Sequence, residues 1–216
     1  MRRLKVKICG LKTKGAVKAA LDAGADFLGF VFFDKSPRNI SPANATPLVE
    51  HARKLNPEIA ICAVLVNPDD LLLKVIKESI SPDFIQIHGE VGPTRVLEIK
   101  KQGFKIIYAI GISTVADLAQ ITAFEGIVDI ILFDAKPPKG AQNVGGFGET
   151  FDWETLIGFS AIKPWFLSGG LNPQNIAAAI AATNPPMVDV SSGVESSAGV
   201  KDSALIQSFI KAAKGS

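Results

Sequence analysis

The chain has 216 residues, 47% hydrophobic and 20% charged, with a formal net charge of +2. That balance suits one large α/β domain or two small ones and excludes a disordered chain. The charge is too small to argue for nucleic acid or a membrane surface. Cys9 and Cys62, its two cysteines, make no disulfide framework and point to a reducing cytoplasm; no apolar signal core follows Met1-Arg2-Arg3-Leu4, and no apolar run is long enough to span a membrane.

The first strand is Lys5-Val6-Lys7-Ile8-Cys9-Gly10. Val6 and Ile8 point one way, and Lys5, Lys7 and Cys9 the other. Thr13 caps a helix that runs to Ala23, with Gly24 as its C-cap. Phe27–Phe33 reads as a buried strand, broken by the polar loop Asp34-Lys35-Ser36-Pro37-Arg38. Ser41-Pro42 then opens a helix to about Leu55. The third strand is Ile59–Val66, followed by a helix over Asp69–Glu78. The fourth, Phe84–His88, precedes a helix from about Pro93 to Gln102. Lys105–Ile110 is the fifth strand, and Ser113 caps a helix to about Thr122. The sixth strand, Asp129–Asp134, leads into the glycine-rich loop Ala135–Thr150, and Asp152-Trp153 begins a short helix. The seventh strand is Trp165–Ser168, from which Gly169-Gly170 turns into a helix through Asn172-Pro173. The eighth is Met187–Ser191, and a last helix runs from about Asp202 to Ala213.

Near-continuous apolar strands that alternate with helices imply a parallel sheet covered by helices. Eight such units close most naturally into a single-domain (β/α)8 TIM barrel spanning residues 1–216, slightly short of the ~250 residues typical of the fold. A doubly wound open sheet is the alternative.

Active sites of such barrels sit at the C-terminal strand ends. The tips carry Cys9, the loop with Arg38, then Gln86 and His88, Asp134, Ser168-Gly169-Gly170 and Ser191-Ser192-Gly193. Alternation puts Gln86 with His88, and Asp189 with Ser191, on the face opposite their apolar neighbours. Both Ser168-Gly169-Gly170 and Ser191-Ser192-Gly193 suit phosphate: glycine lets backbone N–H groups approach an anion, and a following helix N-terminus adds partial positive charge. Cys9 is either a small core residue or a reactive thiol, with Lys7 on the same face to favour its thiolate. Asp134 ends an apolar run, where burial can hold a carboxyl protonated so that it acts as an acid; a cap or turn is the other reading. Arg38 is a solvated loop charge or an anion contact carried on a flexible loop, and His88 a core-edge histidine or a chemical group. No cluster has metal-ligand spacing, so no metal is expected.

The set Lys7-Ile8-Cys9-Gly10, Ser36-Pro37-Arg38, Gln86-Ile87-His88-Gly89, Leu132-Phe133-Asp134, Gly145-Gly146-Phe147-Gly148 with Phe151-Asp152-Trp153, Ser168-Gly169-Gly170-Leu171 and Asp189-Val190-Ser191-Ser192-Gly193-Val194-Glu195 closely resembles the phosphoribosylanthranilate isomerase family of tryptophan biosynthesis. One departure is Phe147, where that family usually has threonine. The resemblance implies a cofactor-free Amadori rearrangement, with Cys9 as general base and Asp134 as general acid. Lys7, Arg38, Gln86 and His88 are then candidates for substrate binding. Gly145, Gly146, Ser168, Gly169, Gly170, Ser191, Ser192 and Gly193 are candidates for phosphate, under a lid over Ala135–Thr150. The expected partner is a small phosphosugar, with the chain acting as monomer or homodimer. Another phosphosugar barrel and a non-catalytic binding protein are the competing readings. The first would want strand-tip lysine and glutamate, or a metal site; the second needs neither Cys9 nor Asp134.

Overall fold

A computed structural model describes residues 3–136, 153–158 and 163–215 of the chain. Its eight parallel strands are β1 (Lys5–Cys9), β2 (Phe27–Phe32), β3 (Ala60–Val66), β4 (Phe84–His88), β5 (Lys105–Ile112), β6 (Ile130–Ala135), β7 (Trp165–Leu167) and β8 (Met187–Val190). They close in sequence order, with β8 returning to β1, so the open-sheet alternative is excluded. The outer layer is α1 (Lys14–Asp22), α2 (Pro42–Leu55), α3 (Asp70–Ile80), α4 (Pro93–Lys101), α5 (Ile176–Thr183) and α6 (Ser203–Lys214), with 3-10 segments in the fifth and sixth units. A short hairpin, β9 (Glu195–Ser197) with β10 (Val200–Lys201), is inserted between β8 and α6.

Strand alternation separates two cores. Val6, Ile8, Leu28, Phe30, Ile85, Ile87 and Val188 face outward and pack beneath the helices. The opposite parity gives an inner plug of Phe27, Cys62, Ile107, Ile130, Leu132, Phe166 and Met187, in which the Phe27 and Phe166 rings meet edge to face at 5.2 Å. Above the plug the inward positions of β1, β4, β6 and β8 turn polar at Lys7, Gln86, Asp134 and Asp189, while Val31 on β2 and Val64 on β3 stay apolar, and this change of character creates the site.

Two expected helix starts differ from the structure, while α6 starts after an Asp202 cap as expected. The fifth unit is a 3-10 helix (Val115–Ala123) that follows Thr114 rather than a Ser113 cap. The Asp117 carboxylate accepts from the backbone N–H groups of both Ser113 and Thr114, each at 2.9 Å, so Ser113 donates to the cap instead of providing it. After β7, Asn172 Oδ1 accepts from the N–H groups of Gln174 and Asn175, an Asx-type turn that delays α5 to Ile176. After β8 there is only a 3-10 turn (Ser192–Val194).

The N-terminal rim carries a repeated device. Asp26, Asp83 and Asp129 each stand just before or at the start of an even-numbered strand. Each accepts the N–H of a residue on the preceding odd strand: Val6 at 2.9 Å, and Ile61 and Ile106 at 2.8 Å each. A basic side chain backs each one, Lys214 at 3.1 Å on Asp26, Arg53 at 3.7 Å on Asp83 and Lys100 at 2.9 Å on Asp129. Asp129→Ala leaves the Ile106 donor unpaired inside the sheet, which should lower unfolding free energy by about 1–3 kcal/mol. Because Asp129 is at the end of the barrel remote from the strand tips, kcat/KM should not change. Chemical denaturation beside steady-state kinetics checks both parts.

Candidate active site

The strand tips enclose one cavity lined by Cys9, Arg38, Gln86, His88, Asp134, Ser168, Gly169, Gly170, Asp189, Ser191 and Ser192, with Ser36 and Lys136 at its margin. The candidate residues from six sequence segments are therefore brought together. Lys7 and Gly193 are not in its wall. Gly145 and Gly146, and the proposed lid beyond Lys136, lie outside the described residues.

Lys7 is fully buried beneath the cavity, and its Nζ donates to Asp189 Oδ1 at 3.0 Å. The register explains the match: β1 pairs with β8 so that Lys7 lies directly opposite Asp189. Burial alone would lower the Lys7 pKa, but Asp189 and the neighbouring thiols outweigh it and the ammonium is held firmly.

Cys9 sits at the end of β1, and its sulfur fills the space left by Gly29 on β2. A Cβ at residue 29 would lie 2.8 Å from Sγ. Lys7 does favour the thiolate, as the spacing suggests, and Lys201 adds to it. Burial is nonetheless the largest influence on Cys9, and with the Asp189 charge it pushes the thiol above its ordinary value. The expected depression of the Cys9 pKa is therefore reversed. Cys62 lies deeper in the plug, fully buried, and its thiol is pushed up by the same cause.

Asp134 behaves as expected. Burial, then repulsion from Asp189, raises its pKa from 3.8 to about 7, against a hydrogen bond from the Ala135 N–H and the charges of Lys7 and Arg38. His88 is neutral: burial, then Lys7, lowers it to about 4. One end of the Gln86 amide contacts His88 Nε2 at 2.6 Å, while Gln86 Oε1 has no partner among the described residues.

Arg38 is not a solvated charge on a flexible loop. Its side chain is 9% exposed and forms a two-pronged pair with Glu195, Nε to Oε1 at 2.8 Å and Nη2 to Oε2 at 2.9 Å. Its stem crosses Gly10, where φ is +78° and an added Cβ would come within 2.8 Å of Arg38 Cδ. In the β7 loop, Gly169 and Gly170 take φ of +84° and +63°, a left-handed pair that only glycine adopts readily. Gly193 serves the same region by packing: a Cβ there would overlap the Leu171 carbonyl oxygen. Neither loop has a regular α-helix start directly behind it: α5 begins only at Ile176, and a 3-10 turn follows β8. Sequence reasoning left Asp189, Glu195 and Lys201 without roles. Asp189 had a signal, its parity with Ser191; the other two matter only through contacts that folding makes.

The family model for N-(5'-phosphoribosyl)anthranilate isomerase matches residues 6–212. The curated enzyme of that name from Caulobacter vibrioides is 48% identical over 209 residues, covering 96% of this chain and 94% of the relative. The crystal structure of phosphoribosyl anthranilate isomerase from Thermotoga maritima superposes with a TM-score of 0.88 at 35% identity, covering 99% of this chain and all of that one. A second solved structure of such an isomerase, in complex with reduced 1-(o-carboxyphenylamino)-1-deoxyribulose 5-phosphate, matches with a TM-score of 0.83 at 32% identity, covering 99% and 100% of the two chains.

The raised Asp134 pKa has a consequence for stability that is independent of catalysis. A carboxyl whose folded pKa lies above its unfolded value favours folding most while protonated, below the unfolded value of 3.8; that contribution falls away as pH rises to about 7 and then stays flat. Asparagine keeps the shape and never ionises. Asp134→Asn should therefore be more thermostable than the native chain above pH 7, with the gap in Tm closing as pH falls towards 4. Melting curves across that range check it, and a gap independent of pH would contradict the raised pKa.

Proposed function

We infer the chemistry of this site from one premise: the chain belongs to the N-(5'-phosphoribosyl)anthranilate isomerase family. It is an isomerase of tryptophan biosynthesis that converts N-(5-phosphoribosyl)anthranilate into 1-(2-carboxyphenylamino)-1-deoxyribulose 5-phosphate. The division of labour among its residues is our proposal. The observation that carries it is the meeting, in one cavity, of a carboxyl that burial keeps protonated near neutrality and a thiol flanked by ammonium groups.

Asp134 gives its proton to the ribose ring oxygen. The C1′–O bond breaks, and the anilino nitrogen lone pair forms the C1′=N bond of the Schiff base. Cys9 as thiolate then removes the C2′ proton, and the electron pair of that C–H bond moves in to give the enolamine. Tautomerisation of the enolamine yields the aminoketone. Each transfer by a placed acid or base contributes about 10²–10⁴-fold in rate. Arg38 faces the anthranilate carboxylate, suited by a planar fork that Glu195 already orients. The loops after β7 and β8 hold the phosphate through Ser168, Gly169, Gly170, Ser191 and Ser192, with Gly193 allowing them to pack together. Gln86 and His88 are neutral and polar, and the unpartnered Gln86 Oε1 is an acceptor for a sugar donor. Lys7 acts from beneath, through its charge, rather than by touching substrate.

Turnover of freshly made phosphoribosylanthranilate, followed by loss of its fluorescence, tests the assignment. Cys9→Ser and Asp134→Asn should each lower kcat by about 10²–10⁴-fold, and near-normal kcat in both would remove these two roles. The pH profile has a particular shape. The Cys9 pKa stands above that of Asp134, so the productive form, thiolate with protonated carboxyl, is a minority one. Its fraction is level between the two ionisations. Plotted against pH, kcat/KM should rise through about 7, where the pair loses its first proton, and fall only above the ordinary thiol value of 9.0.

A further inference from the structure

Lys201 is a buried cation to which the mechanism gives only the influence of its charge on Cys9. It ends the β9–β10 hairpin with its side chain 2% exposed, and it stands opposite Glu195 across the strand pair. Its Nζ donates in two directions. One contact is with Glu195 Oε1, the same oxygen that accepts from Arg38 Nε. The other is with Ser191, the carbonyl oxygen at 2.9 Å and Oγ at 3.4 Å. Ser191 begins the loop after β8, and its Oγ in turn donates to the Cys9 carbonyl at 3.2 Å.

The carboxylate between them is saturated. Glu195 accepts from Arg38 Nε and Nη2, from Lys201 and from the Gly199 N–H at 3.1 Å. Among the described residues, Glu195 is shared by two buried cations, Arg38 and Lys201. A desolvated ammonium is costly unless it is fully paired. Neither a hairpin this short nor the barrel, which is closed without it, needs a charge here. The hairpin is also pinned on the Arg38 loop: a Cβ at Gly199 would overlap the Pro37 carbonyl oxygen.

We propose that Lys201 is a positioning residue that couples the two anion-binding ends of the site, holding Arg38 through Glu195 at the carboxylate end and the Ser191–Gly193 loop through the Ser191 carbonyl at the phosphate end. The proposal rests on the assignment of those two ends made above. One ammonium thus sets the spacing between the groups that receive the two ends of the substrate. It explains why Glu195 and Lys201 are buried although neither touches the cavity.

The test uses three ligands and the whole chain: reduced 1-(o-carboxyphenylamino)-1-deoxyribulose 5-phosphate, the same compound without its carboxylate, and the same compound without its phosphate. Calorimetric affinities give the cost of deleting each charge. In Lys201→Met both costs should shrink, each by about tenfold, the size of one lost charge-assisted hydrogen bond. In Arg38→Met only the carboxylate cost should shrink. Lys201→Arg, which keeps the charge and the donors, should restore most of both. A Lys201→Met protein in which one cost shrinks alone, or neither does, overturns the coupling. An Arg38→Met protein with an undiminished carboxylate cost overturns the carboxylate assignment instead. If Lys201→Met does not fold, Lys201→Gln carries the same test, because glutamine keeps a donor and loses the charge. It too must lower both costs, and a loss confined to one end refutes the proposal.

Discussion

The ion pair between Lys7 and Asp189 is the interaction on which the site depends. Both groups lie inside the barrel, at the level where the apolar plug gives way to the polar mouth. A buried pair contributes little net stability, since desolvation consumes most of the attraction, but losing one partner strands a charge at a cost of about 3–5 kcal/mol. The pair is therefore hard to dismantle without being a reason for the fold to exist. Its value lies in its position. Lys7 is two residues below Cys9 on β1, and Asp189 two below Ser191 on β8. The positive end eases ionisation of the thiol and the negative end resists ionisation of Asp134. One neutral pair thus acts with opposite sign on the two groups proposed to exchange protons with substrate.

The two ends of the barrel answer to different demands. At the N-terminal rim, Asp26, Asp83 and Asp129 satisfy strand N–H groups and meet basic partners, an arrangement that serves the sheet alone. At the C-terminal rim, glycines stand where side chains must come close. Gly29 makes room for the Cys9 sulfur, Gly10 for the Arg38 stem and Gly193 for the Leu171 carbonyl. Each gives up backbone order in the unfolded-to-folded balance in return for a close approach that no other residue permits.

Much of this was legible in the chain, because it depends on alternation. Val6 and Ile8 against Lys7 and Cys9, or Ile85 and Ile87 against Gln86 and His88, fix which side chains enter the barrel once the strands are known. What was hidden depends on burial and on distance along the chain. Lys7 was rightly placed beside Cys9, yet the sign of the net effect on the thiol follows from how completely folding excludes water there. No spacing reports that exclusion. Arg38 read as a mobile loop charge because its partner, Glu195, is 157 residues away. Ser113 and the Asn172-Pro173 turn misled for a local reason. Asp117 and Asn172 each capture backbone N–H groups that a regular α-helix start would have used or left to its cap.

The raised Cys9 pKa has a counterpart in the substrate's own charge. A phosphate and a carboxylate entering the cavity add negative potential at both reacting groups. That potential raises the pKa of each, as like charges do. For Asp134 the change is useful, since an acid already held to about 7 keeps its proton more surely once substrate is bound. For Cys9 it works against the thiolate. Two buried ammonium groups near the sulfur oppose it, Lys7 from below and Lys201 from the β9–β10 hairpin. Lys7 has its charge cancelled nearby by Asp189, whereas Lys201 shares Glu195 with Arg38. Lys201 stands beside the Ser191 loop and the Arg38–Glu195 pair, where the substrate's anions are proposed to lie. The same ammonium that favours the thiolate therefore also offsets the charge that would suppress it. A site that needs a base and an acid at one pH, and binds a polyanion between them, is served by buried cations beside the sulfur, here Lys7 and Lys201.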